Sequence, residues 1–96
     1  MNFRFLEPAK VELEEAIAHY EQEKAGLGEQ FALEVKNTIQ RILNHPGAWT
    51  RLTRNIRRCR TNRFPYGIVY SVQGDDVLVL AVMHLHRKPG YWKDRL

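Results

Sequence analysis

The sequence predicts an α+β domain in which two N-terminal helices form a hairpin on one face of a sheet of about four strands. Three observations carry that expectation. Apolar residues recur twice at helical spacing before Asn44, with only a short Gly26–Gly28 joint between the two runs. The second half switches to period two in Ile68, Tyr70 and Val72, then to a continuous apolar run from Val77. Between the halves, Arg63-Phe64-Pro65-Tyr66-Gly67-Ile68-Val69-Tyr70 reads as a turn feeding a strand. Proline is tolerated where a strand begins, and a β-branched and aromatic run follows it.

The elements follow in chain order. Asn2 to Leu6 reads as a first strand. Glu7-Pro8 then changes the period, because proline suits the first helical turn and glutamate suits the positive end of a helix. Ala9, Leu13, Ala16, Ile17 and Tyr20 form an apolar stripe, with Glu12, Glu14, Glu15 and Glu21 mostly outside it. This helix should stop between Glu23 and Gly26. A second helix is expected from Glu29 to Asn44 on Phe31, Val35, Thr38, Ile39, Ile42 and Leu43, ended by Asn44-His45-Pro46-Gly47. Ala48 to Thr53 reads as a connection in which Trp49 and Leu52 plug the end of the core.

A strand from Arg54 or Asn55 to Thr61 has two possible registers. In one, Ile56 and the aliphatic stems of Arg58 and Arg60 rest on the core; in the other, Cys59 points inward and Arg57 must reach a rim. Gln73-Gly74-Asp75-Asp76 offers hairpin chemistry between the next two strands. The last strand, Val77 to Leu85, is apolar on both faces until His84, as a covered central strand should be. Pro89-Gly90 turns the chain, so that Tyr91-Trp92 can fold back as an aromatic latch.

Composition bounds the function. Ninety-six residues suit one domain, 1–96, and 44% hydrophobic content argues against disorder. No apolar segment approaches the length of a membrane span, so no membrane partner is expected. The start lacks the pattern of a secretory leader, which makes Met1 the expected true start. A single cysteine fits a reducing, cytoplasmic setting. The formal charge of +4 hides an asymmetry: eight glutamates lie between Glu7 and Glu34, whereas Arg51 to Arg63 holds six arginines and no acidic residue. Such a field favours a polyanion or an acidic protein segment. Arginine throughout suits directional contacts with phosphate or carboxylate.

Chemistry-bearing candidates gather near the C-terminus as His84, His86, Arg87, Tyr91 and Arg95. Two histidines without a carboxylate or cysteine cluster fall short of a zinc ligand set, so no metal or other cofactor is expected. His84 reads either as a strand-end residue orienting a neighbour or as a general acid or base. Cys59 reads as a small core residue, with no base motif to activate it.

Taken together, the helical hairpin, the arginine-bearing strand, the Arg63–Tyr70 stretch and the ending His84-x-x-Arg87-x-Pro89-x-Tyr91-Trp92 resemble the RelE/ParE superfamily. These are toxins of bacterial type II toxin–antitoxin systems, often called plasmid stabilisation proteins. The resemblance spans nearly the whole chain and implies a twisted, mainly antiparallel sheet. It implies a cognate antitoxin, encoded adjacently, as partner, with operator DNA reached only through the toxin–antitoxin complex. It also implies one of two targets, or else an inactive homologue that only binds its antitoxin. In the ParE-like branch the target is DNA gyrase, and Arg51, Arg54, Arg57, Arg58, Arg60, Arg63, His86, Arg87 and Arg95 would form the recognition surface. In the RelE-like branch the target is mRNA on the ribosome, cleaved without metal by attack of a ribose 2′-hydroxyl on phosphate. There, Arg57 or Arg60 would clamp phosphate, Arg87 would supply a second cation, His84 would move the proton, and Tyr91 would stack or orient. The proline-tryptophan tail resembles the ParE-like branch more, and the helix-to-strand segment, with Arg51 and Arg54 and no lysine, departs from the RelE-like pattern.

Overall fold

A computed structural model describes residues 1–96. The chain runs β1 (Asn2–Phe5), α1 (Glu7–Glu23), α2 (Leu27–Asn44), β2 (Thr50–Thr53), β3 (Ile56–Arg60), β4 (Tyr66–Gln73) and β5 (Asp76–His84), then a 3₁₀ turn at Lys93–Arg95. The five strands form one sheet in the order β1-β5-β4-β3-β2. Only β1 and β5 are parallel; the remaining pairs are antiparallel. This is the expected α+β arrangement of a helical hairpin on a mainly antiparallel sheet.

The helices form where the apolar stripes lie. Ala9 and Ala16 of α1 are buried, as are Phe31, Val35, Thr38, Ile39 and Ile42 of α2. They pack on Cys59, Ile68, Tyr70, Val77, Val79 and Val82 from the sheet. At the joint, Gly26 adopts φ 88°, a left-handed conformation natural to glycine. The free amides opening α2 are satisfied from α1: the Glu21 carboxylate accepts the Gly26 N–H at 3.0 Å and the Gly28 N–H at 3.1 Å.

The other face of the sheet carries a second, smaller cluster of Ile56, Val69, Leu78, Leu80, Ala81, Met83 and Trp92. The aromatic latch is therefore real: Trp92 is buried against this face. β5 is covered on both sides, as its unbroken apolar run requires.

A bulge decides which residues face which layer. Val69 pairs with Ala81 but Tyr70 pairs with Val79, leaving Leu80 as an extra residue. Consecutive Leu80 and Ala81 thus share the face away from the helices. Val82 returns to the helix side, and His84, paired with Tyr66, follows it. Without the bulge the alternation begun at Val77 would send His84 to the opposite face.

One expectation needs correction, and one open alternative is closed. Thr50–Thr53, read as connection, is an edge strand paired with β3, so the sheet has a fifth strand. Its Thr-Arg-Leu-Thr sequence carries no apolar alternation, because an edge strand with a charged outer side need not bury a face. The β3 register is also settled. Cys59 pairs with Ile68 on the helix side, while Ile56 is buried on the opposite face, so both are inward, toward different layers. Arg57 then takes the rim: its Nη1 donates to the Trp49 carbonyl at 2.8 Å.

The hairpin depends on close approach at Gly28. A Cβ built there would lie 2.6 Å from the Ile17 carbonyl oxygen and 3.0 Å from the Glu21 Cβ. Alanine would gain about 1 kcal/mol of helix propensity, but the helices would have to move apart. Gly28→Ala is expected to lower stability by about 1–3 kcal/mol, measured by chemical denaturation. An unchanged or raised stability would show that the hairpin tolerates separation.

Candidate functional site

The arginine-rich segment folds into the β2–β3 edge and the turn beyond it. Arg51, Arg54, Arg60 and Arg63 are exposed, and Arg57 and Arg58 are half-buried. None of these six guanidinium groups lies within 4.0 Å of a carboxylate; the ion pairs in the molecule involve His19, Arg87 and Arg95. Arg51 sits directly opposite Arg57 across the β2–β3 ladder, a like-charge pairing that disfavours the isolated fold. Arg58 pairs with Val69 on the open face, and its stem lies across Gly67, where a Cβ would meet it at 2.9 Å. The glycine in β4 is what lets that stem cross the sheet.

The turn from β3 to β4 is held by bonds within it and by bonds to α2. The Thr61 hydroxyl donates to the carbonyls of Arg63 and Phe64, and the Glu34 carboxylate of α2 accepts from the Asn62 and Arg63 amides. Phe64 has φ 70°, unusual for a side chain of its size. Its ring packs 4.8 Å from Tyr20 and 5.1 Å from Phe31, which holds the conformation in place. Tyr66 joins this aromatic group and touches His84 at 5.1 Å between ring centres. Arg63 leaves the turn outward, with its guanidinium over Phe64 and a 3.1 Å bond to Gln30.

Beyond Tyr66 and His84, Glu12 gathers much of the C-terminal group. Its carboxylate accepts from the Tyr91 hydroxyl at 2.7 Å and from Arg95 at 2.8 and 2.9 Å. It also accepts the Val82 backbone N–H at 3.0 Å, and Arg87 approaches to 3.8 Å. Arg95 further donates to the Leu80 carbonyl at 2.9 Å. Because β1 ends at Phe5, opposite Val79, these two side chains take the place of a strand along the rest of the β5 edge. Burial, and then the bond to Glu12, hold the Tyr91 phenol above the usual tyrosine range. Its own bond to Glu12 holds Arg95 above its usual value.

The C-terminal and arginine-strand candidates are thus only partly brought together. His84, His86, Arg87, Tyr91 and Arg95 do cluster. The His86 amide donates to His84 Nδ1 at 3.1 Å, and Arg87 stacks over the Tyr91 ring at 4.0 Å. A recess of about 180 Å³ lies beside this group, lined by Glu12, Glu15, His19, Tyr66 and His84 among others. Arg57 is elsewhere, at the helix-side rim by Trp49, and Arg60 lies exposed on the open side of β3. No three histidine, cysteine, aspartate or glutamate side chains converge as a metal-ligating group. The Cys59 thiol is buried, and burial raises its pKa, against a smaller lowering by Arg41. That environment makes a poor nucleophile. Glu12 escaped the sequence reading, although it stands three residues after Ala9 and four before Ala16, on the margin of the apolar stripe.

The geometry defines a small basic α+β protein whose charged surface is an edge and turn, not an enclosed pocket. The family model for the ParE toxin of the type II toxin–antitoxin system, parDE, matches residues 3–89. The chain belongs to that toxin family. Among solved structures, one described as a chromosomal ParDE toxin–antitoxin system from P. aeruginosa has the same fold. It superposes with a TM-score of 0.68 at 16% identity, covering 90% of this chain and 97% of that one. A search of curated proteins gave no match.

Tyr70 supplies a pH test of the packing behind the arginine edge. Its hydroxyl donates to the Pro46 carbonyl, and burial pushes the phenol up to about 12, against a smaller lowering by Arg57. An exposed tyrosine ionises near 10. Between these values the folded chain keeps a proton that the unfolded chain has lost. This contribution to stability is therefore intact below about pH 10 and is lost as pH rises toward about 12, by up to ~2–3 kcal/mol. Urea denaturation across that window should show the fall, and Tyr70→Phe should make it shallower. An equal slope in the variant would remove Tyr70 as its source.

Proposed function

We propose that this ParE-family toxin acts by binding, as an inhibitor of DNA gyrase, and that a cognate antitoxin encoded beside it neutralises it. The observation that carries this reading is the set of six arginines from Arg51 to Arg63 with no carboxylate partner. Charges left unpaired on a folded edge favour an anionic protein or nucleic-acid surface and lose strength as salt rises. The separation of Arg57 and Arg60 from the cluster of His84, Arg87 and Tyr91 supports recognition over catalysis, since a proton-transfer site needs its groups within hydrogen-bond reach. The solved neighbour's description as a ParDE toxin–antitoxin system supports an antitoxin as the physiological partner. Acidic residues of that antitoxin would meet the same arginines, and operator DNA would be reached only through the complex. Gyrase and its DNA place the activity in the cytoplasm; no helix here is long and apolar enough to cross a membrane.

The test adds purified protein to a gyrase supercoiling assay. Inhibition is expected near stoichiometry with the enzyme. The combined exposed-site variant Arg51→Gln, Arg54→Gln and Arg60→Gln should need at least ~10-fold more protein, as expected when several charge contacts of about 0.5–1 kcal/mol each are removed. No inhibition at stoichiometric excess would end the gyrase reading. Codon-positioned mRNA cleavage on ribosomes, lost in Arg87→Ala or His84→Ala, would assign the ribosome-dependent endoribonuclease reading instead.

A further inference from the structure

A second cationic feature lies on the open face of the sheet, apart from the exposed arginine edge. A recess of about 230 Å³ has an apolar floor that includes Leu52, Met83 and Trp92. Three cations line it from three separate elements: Arg58 from β3, Arg87 from the turn after β5, and Lys93 from the terminal 3₁₀ turn. No aspartate or glutamate is among its lining residues. Arg58 and Lys93 have no ion-pair partner, and Arg87 has only the 3.8 Å approach to Glu12. The Arg58 Nε is buried without a hydrogen-bond partner, a donor removed from water with nothing in exchange.

The walls are also fixed in position. Gly67 lets the Arg58 stem cross the sheet, and Gly90, at φ 79°, lets the Lys93 stem lie over the backbone, where a Cβ would meet its Cε at 2.9 Å. Trp92 is buried beneath. An apolar floor with convergent polar groups at its rim is the general form of a small-molecule site. Three cations without an acid select a multiply charged anion, and the floor selects an apolar or flat body attached to it.

We propose that this recess binds a small organic phosphate, with the phosphate held by Arg58, Lys93 and Arg87 and a planar body laid over the Trp92 floor. A nucleoside monophosphate has that chemistry, either as a free nucleotide or as the 5′-phosphorylated end of a strand. The site shares Arg58 with the six arginines of the gyrase reading but uses none of the exposed Arg51, Arg54 and Arg60, so nucleotide binding that survives their triple substitution separates the two.

The probe is adenosine 5′-monophosphate, titrated into the full chain and followed by amide and indole chemical shifts in nuclear magnetic resonance. Saturable shifts are expected at Arg58, Trp92 and Lys93, with inorganic phosphate and unphosphorylated adenosine each at least ~10-fold weaker. Arg58→Gln should weaken binding about tenfold and Lys93→Gln several-fold, by loss of charge-assisted bonds. Lys93 is exposed, so its variant reads the site even if Arg58→Gln disturbs the fold. Arg4→Gln, on β1, should bind as the parent does. A 5′-phosphorylated oligonucleotide that competes equally assigns the source to a strand end; failure to compete assigns it to the free nucleotide. Inorganic phosphate binding as tightly as the nucleotide, shifts confined to other surfaces, or unchanged affinity in Lys93→Gln would overturn the site.

Discussion

The carboxylate of Glu12 is the contact on which the C-terminal half of this fold depends. One residue of α1 joins the first helix to β5 through the Val82 amide and to the chain end through Tyr91 and Arg95. Glu12 and Arg95 are only 12% and 17% exposed as side chains. Removing one partner would leave the other charge poorly solvated, which makes such a pair far more sensitive than a surface bridge. The bond also solves a backbone problem, since β1 is too short to cover the whole β5 edge. A parallel edge strand of four residues suffices because side chains complete the edge.

That contact divides the positive charge into two populations. Arg95 is tied to Glu12 and serves the fold, whereas Arg87 approaches that carboxylate only to 3.8 Å and stays half exposed. The guanidinium groups from Arg51 to Arg63 are hydrogen-bonded only to neutral oxygens or to nothing. The basic character of the chain is therefore concentrated functionally as well as in sequence. The Leu80 bulge adds a further division by turning His84 toward α1 and Tyr66. The Arg63–Tyr70 stretch lies across this boundary. Ile68 and Tyr70 anchor the helix-side core, Gly67 makes room for Arg58 on the other face, and Arg63 projects from the turn.

Much of the fold was legible because its causes are local. The helical stripes, the Gly26 joint, the Asn44-His45-Pro46-Gly47 stop and the Gly74 hairpin all act within a few residues. The Thr50–Thr53 strand was not legible, since its existence depends on the neighbouring β3 edge and its own residues show no alternation. The β3 register was ambiguous for a related reason: with two buried faces, both Ile56 and Cys59 point inward. The site was less legible than the fold. Composition located the arginines but not their partners, and Glu12 sat among other helix glutamates with only its place beside Ala9 and Ala16 to distinguish it. The grouping of Arg58 with Lys93 joins positions far apart in sequence, which no local pattern reveals.

The most direct measurement of the Glu12 contact is a double-mutant cycle between Glu12→Gln and Arg95→Gln, read by chemical denaturation. Each single change is expected to cost about 3 kcal/mol, and the pair should show a coupling of about 2–3 kcal/mol. A coupling below about 0.5 kcal/mol, the range of an exposed surface pair, would contradict the role given to Glu12 in holding the chain end and the β5 edge.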